Sequence, residues 1–582
     1  MLILIILCSL ACGQTTISAS FSFANNSLYR FAKNALNTVK QGTRGSFLKK
    51  ATIVSGVVTV VGFIVFLIGR SMGAEERRGN INNMTQAAQL GNLDQVRRLV
   101  EQGTNINGRR SRRQNANGLY GGYGYRRTAI EIATHNNNLD IVKYLLDNKA
   151  KASKQLKRNM FEKALREGHQ DLIEHFDEKE KMDLQTTFFS NHQTPLHLTC
   201  ASGNLETTQQ LLEKGLDVNV KDTQLETPLH KACQSGNIDL VRHLLDNCCV
   251  QVDAHAFGGK TPLHVAAQGG HLEIAQLLVG NEEKLVVADV NARYNNRTAL
   301  HTAVERGDIP FARFLLENGA NVNAVGPANN TPLIIAIQQN NREMVELLIE
   351  HEANVNIQGQ RNLTPLIAAI QQRNRETIGL LLENGADVNL MGPNNSHPLT
   401  FAVTQGDLEV TQLLIQHNSD VNVIIGNDRT LLHVATENNN PQMVRLLVQN
   451  GANINTIGSH YEVTDSYFGY STEYKATPLS LALKNGYMEI ADYLIGAEID
   501  KKADIPRPVE NNRHKGYNRQ PICKTPFEIA CEKGHLRAAK MLAEKGATVP
   551  QIYEALIPEQ LKKQPEFMEL KNAENTPNSK QT

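Results

Sequence analysis

A segment of about 33 residues recurs along most of this 582-residue chain, and no other feature restricts its fold as strongly. The clearest copies begin at Thr194, Thr227, Thr261, Thr298, Thr331, Thr364, His397 and Thr430, with successive gaps of 33, 34, 37, 33, 33, 33 and 33 residues. Further starts fall near Asn82, Thr128, Asn159, Thr477 and Thr525. A unit this short cannot bury a core by itself, so about thirteen copies spread over residues 82–549 predict a stacked array in which each repeat leans on its neighbours.

The residues within a unit predict its shape. Threonine is a good helix N-cap, and proline at the next position has a fixed φ and an amide that needs no partner. The alanines at Ala232, Ala266, Ala303, Ala336, Ala369, Ala402 and Ala435 sit where only a small side chain lets two helices approach. Gly203, Gly236, Gly270, Gly307 and Gly406 are placed to end the first helix in a left-handed turn. A second helix follows, with an apolar stripe such as Leu240, Val241, Leu244 and Leu245, and closes on Gly385-Ala386-Asp387-Val388-Asn389 and its equivalents. Thr128-x-x-Glu131 and Thr525-x-x-Glu528 read as capping boxes.

Thr194-Pro195-Leu196-His197, Thr227-Pro228-Leu229-His230 and Thr261-Pro262-Leu263-His264 resemble the signature of the ankyrin repeat family, and the resemblance covers about four fifths of the chain. It implies an all-α repeat solenoid of stacked helix–turn–helix units with β-hairpin fingers. It also implies a protein that works by binding another protein and has no cofactor, metal or small-molecule substrate. The histidine that recurs at positions 197, 230, 264, 301 and 433 would, by the same resemblance, tie one repeat to the next turn. Some units depart from the pattern. His397 and Leu431 replace Thr and Pro, Arg373 stands where glycine is usual, and the Asn159 unit lacks Thr-Pro altogether.

The head of the chain is different in kind. No acid precedes Glu75, whereas Arg30, Lys33, Lys40, Arg44, Lys49, Lys50 and Arg70 all do. Residues 1–13 read as an incomplete signal peptide, since no basic side chain precedes the apolar run. Residues 14–50 read as a basic juxtamembrane segment with one amphipathic stretch. Residues 51–69 are nineteen uncharged, Val- and Ile-rich residues between Lys50 and Arg70, long enough to form a transmembrane helix ahead of the repeats. A single-pass membrane protein is expected, with the repeats favoured on the cytoplasmic side. Residues 550–582 form a polar tail with one short helix near its start and a disordered end.

Three insertions fall in the slot between a second helix and the next unit's threonine. Residues 106–127 carry Arg109, Arg110, Arg112, Arg113, Tyr120, Tyr123 and Tyr125 without an acid. Residues 457–476 carry Tyr461, Tyr467, Phe468, Tyr470 and Tyr474, and residues 500–524 carry Arg513, Tyr517 and Arg519. Eight of the fourteen tyrosines lie in these segments. Arg and Tyr are enriched at binding hot spots, so these residues are the candidate partner contacts. The competing readings are tolerated surface loops and, for the first insertion, nucleic-acid stacking, which one short patch on a protein of net charge +1 supports less well.

No catalytic centre is expected. Ala254-x-x-x-x-Gly259-Lys260-Thr261 matches a relaxed phosphate loop, but it lies in register with its sibling repeats rather than between a buried strand and a helix. The cysteines show no zinc spacing; Cys200, Cys233 and Cys531 fall within helices as small apolar residues. The alternative to an anchored scaffold is a secreted effector of the same family acting on host proteins.

Overall fold

A computed structural model describes residues 76–109, 127–182, 184, 189–280, 287–426, 428–465, 470–497, 525–545, 547 and 553–574, with the side chains of 459–475, 553, 573 and 574 left aside. The segments read as signal peptide, juxtamembrane stretch and membrane span lie outside these residues. Among the described residues no helix is long and apolar enough to cross a membrane. The chain divides into two compact units, one ending at Leu184 and the other starting at Gln185.

The first unit holds three helix pairs among its described residues. A helix through residues 76–90 is followed by Leu93–Glu101, Ala129–His135 by Leu139–Asp147, and Lys154–Glu167 by Gln170–Glu174 with a widened turn at His175–Lys179. The first of these is already helical ahead of Asn82, and the third begins at Lys154, capped by Ser153, rather than at Asn159. A serine hydroxyl accepts the Leu156 N–H as well as a threonine would, so the missing Thr-Pro hid a working cap. Phe161 and Phe176 are fully buried here, with ring centroids 5.4 Å apart.

In the second unit, first helices begin at Pro195, Pro228, Pro262, Ala299, Pro332, Pro365, Pro398, Leu431, Pro478 and Pro526. Each starts one residue after the position that the sequence marks. Second helices run antiparallel behind them, from Leu205–Glu213 to Leu536–Glu544. Asn204, Asn237, Asp308, Asn341, Asn374, Asp407 and Asn440 cap them, each accepting an N–H from three residues on. The stacking alanines, Ala232 through Ala435, are at most 1% exposed, and one apolar core runs continuously from Cys200 to Leu570. Cys200, Cys233 and Cys531 are buried in it; burial pushes the Cys200 and Cys531 thiols up to about 12.

The C-terminal segment is more structured than its polar composition suggests. Helix Pro565–Glu574 packs on Leu536–Glu544, burying Phe567 and Leu570, while Lys540 meets Glu569 at 2.8 Å. Together with Tyr553–Leu556 it closes the apolar end that the last repeat would otherwise expose, as terminal caps of repeat arrays must.

Candidate protein interface

Two local devices hold successive repeats in register. In the first, the cap threonine's hydroxyl accepts the N–H of the histidine three residues on, and the histidine Nδ1 accepts the threonine's backbone N–H. This is a capping box with imidazole in place of carboxylate. With Nδ1 accepting, the ring proton sits on Nε2, which donates to a carbonyl in the next finger: Glu226 O at 2.9 Å from His197, Lys260 O at 3.1 Å from His230, Arg297 O at 3.2 Å from His264 and Ala476 O at 3.0 Å from His433. Burial lowers the pKa of His197, His230, His264 and His301, with His230 and His301 at about 4. These are neutral structural histidines.

The second device is a ladder of asparagines behind the fingers. Asn356 Nδ2 donates to Gly385 O at 3.0 Å while its Oδ1 accepts the Asp387 N–H at 2.7 Å. Asn219, Asn291, Asn323, Asn389 and Asn422 repeat the same two bonds to the following unit. Asp253 keeps only the accepting half, toward the Asp289 N–H. Sequence reading marks the Gly-Ala-Asn-Val-Asn closure but not this bonding.

The fingers themselves are tight turns with residues in the left-handed region, normally Gly or Asn: Gly258–Gly259, Asn295–Asn296 and Asn394–Asn395. Ala328 and Arg361 hold that conformation in two other fingers, and in the finger at 222–226 a branched side chain does. Leu225 stands there at φ 60° although a branched side chain pays a steric penalty in that conformation. Asp222 enforces the turn, its Oδ1 accepting the N–H groups of Gln224 and Glu226. Leu225 is 47% exposed, and on the next finger Phe257, whose N–H donates to Gln224 O at 2.8 Å, is 72% exposed. Two large apolar side chains thus stand in solvent on adjoining fingers. Met391 and Ile424 do the same further along.

Against known sequences, a family model described as "Ankyrin repeats (3 copies)" matches residues 84–181, 161–256, 248–326, 324–392 and 391–458, and one described as "Ankyrin repeat" matches 474–504. The chain belongs to the ankyrin repeat family. No curated protein matches it. Among solved structures, the human ASB11 ankyrin repeat domain is 29% identical, covering 39% of this chain and 99% of that one at a TM-score of 0.34. The ankyrin repeat domain of Bcl-3, a member of the IkappaB protein family, is 30% identical, covering 36% of this chain and 95% of that one at 0.33.

Within this ankyrin framework the second insertion is a finger extension, and the first starts from a finger. The first leaves and returns at an antiparallel bridge between Arg109 and Thr128; Arg109 is exposed, whereas Arg110, Arg112, Arg113, Tyr120, Tyr123 and Tyr125 lie outside the described residues. The second is a long antiparallel hairpin, Gly458–Asp465 with Tyr470–Ala476, in which Tyr461 is across from Glu473 and Tyr474 from His460. The strands carry a bulge between Val463 and Asp465; Tyr467 and Phe468 lie outside the described residues. So do Arg513, Tyr517 and Arg519 of the third.

The phosphate-loop match dissolves in the ankyrin finger. Gly259 has φ 86°, and a Cβ on it would lie 2.5 Å from Arg293 O of the adjacent finger, which explains the glycine. Thr261 is a buried helix cap, and Lys260 meets Glu226 at 3.3 Å. Lys231 bonds the same Glu226 and also Asp222 at 3.2 Å. Burial raises both carboxyls, but Lys231, with the backbone N–H groups at Asp222 and Lys260 at Glu226, outweighs it and holds both below the usual carboxylate range.

Proposed function

We propose that this ankyrin array is a non-catalytic scaffold that grips a protein partner with its fingers and is held at a membrane through residues 51–69. The observation that carries the binding reading is the Leu225–Phe257 pair. The fold gains nothing from a left-handed leucine beside a 72% exposed phenylalanine, and strained backbone with stranded apolar surface is the mark of a contact site. The Arg/Tyr insertions would supply further anchors for a partner. An array facing the cytoplasm agrees with Asn296, the first residue of a sequon-like triplet, whose amide nitrogen is bonded to Gly326 O at 3.1 Å and would lose that bond to a glycan.

Site-specific photo-crosslinking in the native cell tests the binding reading. A crosslinker at position 257 is expected to give a discrete protein adduct that Leu225→Asn removes, while one at exposed Glu343 on a second helix gives none. Adducts of equal yield at both sites, or none at 257, would overturn it.

A further inference from the structure

Charge is divided unevenly between the two units. Residues 75–184 carry 20 Lys and Arg against 15 Asp and Glu, whereas residues 185–582 carry 33 against 44. Within the first unit the excess is local. No acid occurs from 102 to 130 or from 148 to 161, and these two runs hold eleven Lys and Arg. The structure joins the runs at the finger edge, where Asn107 Oδ1 accepts the Lys151 N–H at 2.7 Å and Arg109 bridges Thr128. Arg109, Arg127, Lys149, Lys151 and Lys154 are exposed, and none makes an ion pair among the described residues.

The acids that bound the two runs do little to offset them. Glu131 accepts the Thr128 N–H at 2.9 Å, Asp147 meets Lys179 at 2.7 Å and Glu162 meets Arg166 at 3.1 Å. Glu101 alone of the four makes no such bond among the described residues. On the helix ahead, Glu75 and Glu76 balance Arg77 and Arg78, so the excess belongs to the runs. The second unit treats its finger cations differently. Lys260, Arg297 and Arg429 stand immediately before a cap, as Arg127 does, and each is bonded to an acid: Glu226, Glu305 and Glu437. Like charges gathered on one edge repel one another and add nothing to the packing, so an anion outside the chain is their natural complement.

Position selects the anion. On the membrane reading above, on which this inference rests, the chain leaves the bilayer near Arg70, and residue 76 is already helical. At about 3.5 Å per residue those six steps reach ~20 Å at most. The cationic edge adjoins the start of that helix, since a Cβ on Gly108 would lie 2.6 Å from Ile81 Cδ1. It is therefore tethered within short reach of the headgroups, and the cytoplasmic leaflet is the one that carries acidic lipids. We infer that Arg109, Arg127, Lys149, Lys151 and Lys154 bind anionic phospholipid headgroups and lay the finger edge of the first unit on the bilayer. A protein held by the first insertion, whose base is Arg109 and Arg127, would then be presented at the membrane surface.

A photo-crosslinker at exposed Gln155, beside Lys154, tests this on the full chain reconstituted in phosphatidylcholine vesicles, with or without about one part in three of phosphatidylserine. Expected is a phospholipid adduct about fivefold stronger with phosphatidylserine, falling by about the same factor as NaCl rises from roughly 50 to 500 mM. Lys149→Gln, Lys151→Gln and Lys154→Gln together should abolish the phosphatidylserine effect and leave the thermal midpoint in place, because these side chains make no bond within the described residues. Equal yield from the two vesicle types, or an effect that survives the triple substitution, would overturn the inference. So would a nucleic-acid or protein adduct at 155 in place of lipid in intact cells. A chain that alkaline carbonate leaves in the membrane, yet that gives no lipid adduct, would remove this inference and keep the anchor at 51–69. A chain that carbonate releases, yet that still marks phosphatidylserine vesicles, would remove the anchor and keep this surface.

Discussion

His230 donates its Nε2 proton to the Lys260 carbonyl at 3.1 Å and accepts the Thr227 N–H on Nδ1, so a protonated ring has no place in the folded repeat. Burial dominates the lowering of its pKa to about 4, against the pull of the Lys260 carbonyl and Glu226. His301 is at about 4 for the same leading reason. The unfolded chain takes these protons near pH 6.5 and the folded chain does not, so the stability they confer is complete above that pH. It declines as pH falls from 6.5 toward 4, at a limiting slope of about 1.4 kcal/mol per pH unit for each such histidine. Urea titrations across this range should show the midpoint falling, and His230→Gln should flatten the slope.

Arg373 ends its first helix at φ 58°, where Asn340 serves the repeat before it and Gly406 the repeat after. Relieving that backbone with Arg373→Gly should stabilise the repeat by about 1 kcal/mol. Hydrogen exchange within Pro365–Gln371 should slow accordingly. Unchanged or faster exchange would show that the arginine side chain compensates for its own strain.

The caps and their exceptions were the legible part of this fold. Thr-Pro at 194, 227 and 261 marks helix starts at Pro195, Pro228 and Pro262 because capping is local chemistry repeated on a fixed period. What sequence left out joins residues far apart. The Asn356–Gly385 rung spans 29 positions, and the burial of Phe567 depends on a helix some thirty residues earlier. The left-handed backbone of Leu225 is imposed by Asp222 and by the neighbouring finger, where Thr223 N–H meets Asn191 O. The arginines and tyrosines of the insertions stood out by composition, yet most of them lie outside the described residues, and the exposed apolar side chains at the finger tips were not anticipated.

His397 replaces a cap threonine, and the exchange is visible in the bonding. Its side chain makes no cap bond, and its Nδ1 is buried without a partner, as is Thr400 Oγ1 three residues on. His397→Thr would supply a hydroxyl for the Thr400 N–H, which now turns to the His397 carbonyl at 3.0 Å, as Thr364 does for Ile367 at 3.1 Å. A gain of about 1 kcal/mol is expected, read as a higher denaturation midpoint with the slope unchanged. A loss would mean that the imidazole's packing outweighs the missing bond.

Each asparagine rung closes two bonds between successive units, so its removal should act on stacking more than on either unit alone. Asn356→Ala deletes the bonds to Gly385 O and from Asp387 N–H, and a destabilisation of about 1–3 kcal/mol is expected. Because each repeat contacts only its neighbours, the effect should be concentrated at one junction. Limited proteolysis should then cut in the finger at 359–363 before any other, and uniform fragmentation along the array would contradict a local role.

The bridge between Arg109 and Thr128 already closes the finger from which the first insertion grows. Replacing residues 110–126 with a two-residue Asn-Gly turn should therefore leave the thermal midpoint within about a degree of the parent, since lengthening a surface loop costs little. If the insertion's arginines and tyrosines anchor the partner, a crosslinker at exposed Arg109 should give a discrete protein adduct that the shortened protein loses. Retention of the full adduct yield would reduce the insertion to a tolerated loop and confine the interface to the apolar finger tips.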